Sequence, residues 1–157
     1  MPEVFQIFYW ILVWAFLIYS VLVSVFDLRT RRIDNRFIGA GLIIGFSLAI
    51  SRCVLLGTVV PLLSALAGFL VCFGIYFLIH LLRSEQFGAG DVKLAAVVGL
   101  FVGSLGFAES IIAVLGGFVF ALPAAIYYLF TGDRTFKLPF APFLLGSCWL
   151  VFTLYSN

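Results

Sequence analysis

Charged and turn-forming residues occur only at intervals along this chain, and the blocks between them are apolar throughout. Phe5 to Phe26 is 22 residues without a charge, and a helix needs about 20 to cross a hydrocarbon core. The second block, Phe37 to Leu56, holds Arg52 near one end, where a long side chain can snorkel to the headgroups. A third runs from Val59 to Leu82 and includes His80 close to its end. Val92 to Phe130 is 39 residues, too long for one crossing. Ser104, Gly106 and Glu109 divide it into Val92–Phe107 and Ser110–Phe130. The last block, Phe140 to Tyr155, is entered through Pro139 and Pro142, which suit a helix's first turn. The pattern predicts an all-α membrane protein, a bundle of six transmembrane helices. The blocks are too long and continuous for barrel strands, and lipid leaves the backbone to bond within itself.

Composition narrows this further. The chain of 157 residues is 64% hydrophobic and 10% charged, where a soluble domain carries about a quarter charged residues. That excludes a water-soluble fold. It also predicts a single polytopic domain over 1–157, with the lipid bilayer as its main partner. Nine Lys plus Arg against seven Asp plus Glu leave a net charge of only +2, so nucleic acid is not an expected partner. One His and three Cys without C-x-x-C spacing predict neither a metal site nor a cofactor. Cys53, Cys72 and Cys148 read as reduced packing residues. The first block is a poor cleavable signal peptide, since it begins Met1-Pro2-Glu3 and arginines follow it.

Orientation follows from the basic residues. Arg29, Arg31, Arg32, Arg36, Arg83, Lys93, Arg134 and Lys137 fall in the connections after blocks one, three and five, and only Arg52 lies on the other side. This predicts both termini outside and those three connections in the cytoplasm. Tyr9, Trp10 and Tyr155 then belong to the outer rim, Tyr127 and Tyr128 to the inner. Gly41-x-x-x-Gly45 and Gly99-x-x-x-Gly103 allow close helix approach, and ordinary packing is the better reading for both. Oligomeric state is not legible.

Seven acids are few enough to weigh singly. Glu3 and Glu109 are expected in outer, solvated positions, Glu85 and Asp133 in cytoplasmic loops beside arginines. Asp34 and Asn35 precede the second block, where a short polar side chain can cap a helix. Asp27 directly follows the first block, and Asp91 opens the fourth after Gly88-Ala89-Gly90. Both fall at one depth on one side. Two carboxylates sharing a proton can activate water and protonate an amide leaving group, and like-charge repulsion keeps one of them protonated. On charge position alone the plainer reading is stronger: Asp27 as an interfacial anchor paired with Arg29 or Arg31, and Asp91 as a helix cap.

The local sequence reverses that balance. Gly88-Ala89-Gly90-Asp91-Val92-Lys93-Leu94 resembles the G-x-G-D-x-K-L motif of type IV prepilin peptidases, which are membrane-embedded aspartyl proteases. Asp27 to Arg36, with Ile33-Asp34-Asn35, resembles the family's first aspartate motif, an Asp, a basic loop and Ile-Pro-Asn. Leu138-Pro139-Phe140-Ala141-Pro142-Phe143-Leu144 is similar to its late P-F-G-P-F-L element. Asp34 stands where the family has proline and Ala141 where it has glycine, neither being a position of the chemistry. With no paired cysteines, the chain resembles the short, peptidase-only form serving tight-adherence (Flp-type) pili, lacking the N-methyltransferase and zinc-binding domain.

The resemblance implies an aspartic endopeptidase of the prokaryotic inner membrane. It would remove the leader of a prepilin or pseudopilin at the cytoplasmic face, with Asp27 and Asp91 catalytic. Gly88 and Gly90 would let a substrate strand or the partner acid approach the backbone. Lys93 either biases Asp91 toward its charged form or snorkels to lipid phosphate. His80 has no partner in a triad order and reads as a hydrogen-bonded helix-end residue. The alternatives are a G-x-G-D protease of another substrate class such as preflagellin, an inactive assembly factor, and a proton or cation transporter using the same acids.

Overall fold

The computed structural model describes residues 2–82, 88–131 and 139–155. These form six helices and no strand: α1 (Pro2–Thr30), α2 (Asn35–Leu56), α3 (Val60–Leu82), α4 (Ala89–Gly103), α5 (Phe107–Thr131) and α6 (Ala141–Tyr155). Four stretches, Glu3–Thr30, Asn35–Leu56, Val60–Leu82 and Phe107–Tyr128, are long and apolar enough to cross a membrane, and α6 is a shorter apolar helix. The make-up is that of a multi-pass membrane protein. At 15 residues, α4 is only about 22 Å long.

Helix ends depart from the apolar blocks because polar rim residues still complete helical turns. α1 runs a full turn past Phe26, so Asp27 lies inside it rather than after it. The Thr30 hydroxyl, 2.9 Å from the Phe26 carbonyl oxygen, closes that extra turn. Arg31 N–H still bonds the Asp27 carbonyl at 2.8 Å. The helix then stops because Arg31 takes a left-handed φ of 52°. Asp34 caps α2 as its sequence position predicts, in extended conformation and accepting the Arg36 N–H at 3.2 Å. The break in the long fourth block comes earlier than expected: α4 ends at Gly103 and α5 starts at Phe107 rather than Ser110. Glu109 therefore belongs to the first turn of a helix, half-buried, instead of a solvated turn.

α4 is the axis of the bundle. α1 packs on α2, α2 on α3, α3 on α5, α5 on α6 and α6 back on α1, while α2, α3, α5 and α6 all touch α4. α1 reaches the centre through Phe16, whose ring stacks on Phe101 of α4 with centroids 3.7 Å apart. Every α4 residue from Val92 to Gly103 except Lys93 is buried as a result. The ring helices instead expose apolar side chains such as Trp14, Leu70 and Val119 on their outer faces, which only lipid would tolerate as a continuous surface.

Glycine sets the closest approach. A Cβ on Gly99 would lie 2.5 Å from the Gly68 carbonyl oxygen, and one on Gly68 equally close to that of Gly99. The α3 and α4 backbones are therefore in contact, as small residues permit in membranes. Gly41 makes room for Tyr19 and Gly45 for Leu100. Both G-x-x-x-G motifs thus serve packing inside the chain. Cys53, Cys72 and Cys148 are free, the last two buried.

At the end away from Asp27, Arg52 lies over the Tyr9 ring, 5.9 Å from its centroid, and donates to the Tyr9 hydroxyl at 3.4 Å. Arg52 is only half-buried there. Tyr9 is buried because its hydroxyl has a partner on the neighbouring helix.

Candidate active site

Three chain segments meet where α1 ends. The first is the last turn of α1 with the connection to α2. Asp27 sits on the inward side of that turn and is 4% exposed, unusual for a carboxylate unless its oxygens are bonded. Its partner comes from the third segment. Asp27 Oδ2 accepts the backbone N–H of Ala141 at 3.1 Å, and that N–H is one of the orphan donors at the start of α6.

The start of α6 is itself held from below. Phe140 precedes it, with its ring 5.8 Å from Tyr76 and 5.2 Å from Phe118, centroid to centroid. Tyr76 is in turn fixed by donating its hydroxyl to the Val114 carbonyl at 3.0 Å. Pro142 occupies the first turn of α6, where its missing N–H leaves nothing unpaired.

The second segment is the start of the central helix. Gly88 is its N-cap, and Asp91, three residues on, accepts the Gly88 N–H at 3.3 Å through Oδ2. The plainer reading of Asp91 as the N-cap is corrected here: Gly88 takes that place and Asp91 is the third residue of the helix. Asp91 bonds back to the cap while also standing beside the other acid. Asp27 and Asp91 line one cavity of about 280 Å³, together with Arg31, Arg32, Ile33, Gly88, Ala89 and Gly90. Burial, and after it the charge of Asp27, push the Asp91 carboxyl up to about 7, with the Gly88 N–H acting the other way.

Gly90 lines the cavity and also packs on the first connection. A Cβ there would lie 3.0 Å from the Cβ of Ile33, so its bare backbone admits the α1–α2 connection rather than open space. Gly88 faces its own neighbour, since a Cβ there would meet Asp91 Oδ2 at 3.3 Å. The Lys93 ammonium donates to Asn35 Oδ1 at 2.8 Å. His80 occupies the last turn of α3, half-buried. Arg83, Glu85, Asp133, Arg134, Lys137 and Leu138 lie outside the described residues. Among the described residues no three His, Cys, Asp or Glu side chains gather as metal ligands.

The two acids named from sequence are thus brought together, and Gly88, Gly90 and Lys93 all lie within a turn of them. Sequence reasoning missed Ala141 and Asn35. Ala141 acts through a backbone N–H, which every residue but proline has, so no side-chain signal marks it. Asn35 was noticed only as a possible cap, and its partner lies 58 positions away.

A helical membrane protein with two carboxylates facing one small rim cavity is the class of molecule these observations define. The chain belongs to the type IV leader peptidase family, whose model matches residues 11–127. Membership makes it a type IV leader peptidase-like protease. No curated protein and no solved structure matches it significantly.

Proposed function

We propose that this protein is an aspartic endopeptidase that removes the leader from a prepilin or pseudopilin, with Asp27 and Asp91 as the catalytic pair. The observation that carries this reading is the shared cavity: residues 27 and 91, on different helices, line it together. On the same reading all six helices cross or enter the inner membrane, both termini lie outside, and the cavity opens to the cytoplasm. The excess of arginine and lysine at this end supports that orientation. Residues 1–157 then form one polytopic peptidase domain, the short form that serves tight-adherence pili.

The chemistry needs one carboxylate and one carboxylic acid. Asp27 is the base, steadied by the Ala141 N–H, and takes a proton from the water as its oxygen attacks the scissile carbonyl carbon. Asp91 carries the shared proton and passes it to the carbonyl oxygen as the tetrahedral intermediate forms. When the C–N bond breaks, the departing amine takes the proton from Asp27, and Asp91 is reprotonated by the collapsing hydroxyl. Both acids return to their starting states. The substrate's apolar helix lies in lipid beside the ring helices, so that only its extended leader junction enters the cavity.

A transport role gains no support. Between Lys93 and Ser104 the central helix carries no polar side chain, so it offers no relay for a proton or cation. The test is co-expression with a candidate prepilin, following leader removal by gel shift. Asp27→Asn and Asp91→Asn should insert normally and stop cleavage. Full activity in either would sink the two-acid mechanism, and a preflagellin cut in preference to a prepilin would replace the substrate.

A further inference from the structure

Lys93 is the one side chain of α4 beyond Asp91 that leaves the buried axis. It lies two residues past Asp91, about 200° around the helix, so the two side chains point to opposite sides. That separation argues against a direct role as counter-charge to Asp91. The ammonium instead reaches Asn35, the first residue of α2, at 2.8 Å. Between α1 and α2 runs a connection of only four residues, 31–34. It starts from a left-handed Arg31, a conformation that persists only where surroundings impose it.

Three of those four residues, Arg31, Arg32 and Ile33, are walls of the cavity holding both acids. Arg32 and Ile33 also border a second cavity of about 380 Å³ with Phe26, Thr30, Asp34 and Asn35. The connection is thus a thin partition with open space on both sides. Hydrogen bonds brace it from within, Thr30 Oγ1 donating to the Arg32 carbonyl at 3.0 Å and the Arg36 N–H to Asp34 Oδ1 at 3.2 Å. Among the described residues, Ile33 against Gly90 and Lys93 on Asn35 just past its far end tie it to the central helix.

We infer that Lys93 and Asn35 are positioning residues: their bond fixes the 31–34 partition against the start of α4 and so sets the width of the cavity into which a peptide must fit between Asp27 and Asp91. Neither touches the reacting atoms. This inference rests on the peptidase reading given above and assigns the motif lysine a task within it.

The experiment measures leader cleavage by purified protein in liposomes, with the rate expressed per folded molecule and the thermal midpoint recorded separately. Lys93→Met and Asn35→Leu should each lower kcat by roughly tenfold, the scale of one lost charge-assisted hydrogen bond, with KM little changed. Together they should do no more than either alone, because both remove the same bond. Lys93→Arg keeps a donor and should retain most of the activity. The exchanged pair, Lys93→Asn with Asn35→Lys, should recover activity that each single exchange loses. Full activity in Asn35→Leu, or no recovery in the exchanged pair, would overturn the inference. A loss confined to the thermal midpoint, with kcat per folded molecule unchanged, would overturn it too and make the bond a stabilising one only. If the unaltered protein cleaves nothing in an Asp27-dependent way, it is the peptidase reading that fails. If it cleaves and Asn35→Leu cleaves as well, only the positioning role is lost.

Discussion

Arg52 and Tyr9 at one end of the bundle, and Asp27 and Asp91 at the other, show two ways of keeping polar groups beside lipid. The guanidinium lies on the ring and hydroxyl of its neighbour, and the nearby turn closes on Gly57 at φ 63° with its N–H bonded to Cys53. Charge there meets a complementary surface. At the other end two like charges stand together, each tied through one oxygen to a backbone N–H, of Ala141 or Gly88. Among the described residues their second oxygens make no hydrogen bond. The first arrangement lowers the cost of a charge near lipid, although the buried Arg52 Nε has no hydrogen-bond partner among the described residues. The second keeps that cost and leaves capacity to accept and give protons, as catalytic sites do at the expense of stability.

The contrast is sharpest in the acids themselves. Asp27→Asn or Asp91→Asn should cut cleavage by at least about 10³-fold, because groups acting as a unit fail together. The same change at position 91 should make the protein more stable above neutrality. The sign follows from the raised carboxyl: folding favours the protonated form, so stability contributed by Asp91 is complete below about pH 4 and falls as the pH climbs to about 7. Asparagine carries no such penalty. Thermal midpoints in detergent at pH 8 check it, and a lower midpoint for Asp91→Asn would mean that the acid is held by favourable contacts after all.

Next in size is the fit of the first connection against the central helix. Gly90→Ala places a Cβ 3.0 Å from that of Ile33, and neither atom is the end of a flexible chain. Overpacking of this kind costs about 1–3 kcal/mol, and the partition must move. Cleavage should fall about tenfold or more, on the scale of 1.4 kcal/mol per decade. Adding Ile33→Ala should restore much of it by vacating the space. Restoration separates a steric cause from any need for bare backbone by the substrate. If the double variant stays as poor as Gly90→Ala, substrate contact with Gly90 is the better account.

Acidity gives a third measure. On the proposed mechanism cleavage needs Asp91 protonated, so its rate should decline as pH rises through about 7. Asp27→Glu moves the neighbouring charge and should shift that limb while residual activity remains. A limb unmoved by every change at position 27 would separate the two acids electrostatically, contrary to their sharing a cavity.

How much of this was legible beforehand depends on what kind of group each feature uses. Apolar blocks announce helices because lipid offers no partner for backbone, so all six elements could be placed, with ends wrong by up to about a turn where Asp27, Ala89 or Phe107 continue a helix into the rim. Asp27 and Asp91 stood out because a carboxylate beside a long uncharged stretch is conspicuous. The ring of helices around α4 was not readable, since an apolar block that faces protein and one that faces lipid look alike in sequence. The burial of Tyr9 was hidden for a related reason: a rim tyrosine is usual, and only the fold brings Arg52 over it. Ala141 was hidden more deeply, because its contribution to Asp27 is made by the chain itself.

The smallest effect expected is at the far end, and it tests whether the two ends are independent. Arg52→Gln removes the cation from the Tyr9 ring and leaves the tyrosine hydroxyl able to bond an amide. A half-exposed cation–π contact is worth about 0.5–1 kcal/mol, so the thermal midpoint should drop by a few degrees at most. Leader cleavage should be unchanged, because α4 separates Tyr9 and Arg52 from the acids by its whole length of buried Val, Leu and Gly. A rigid axis of that kind passes on displacement only if its packing has two arrangements, and the α3 and α4 backbones already touch at Gly68 and Gly99. A tenfold loss of activity in Arg52→Gln would contradict this, and would show that the two ends of α4 move as one.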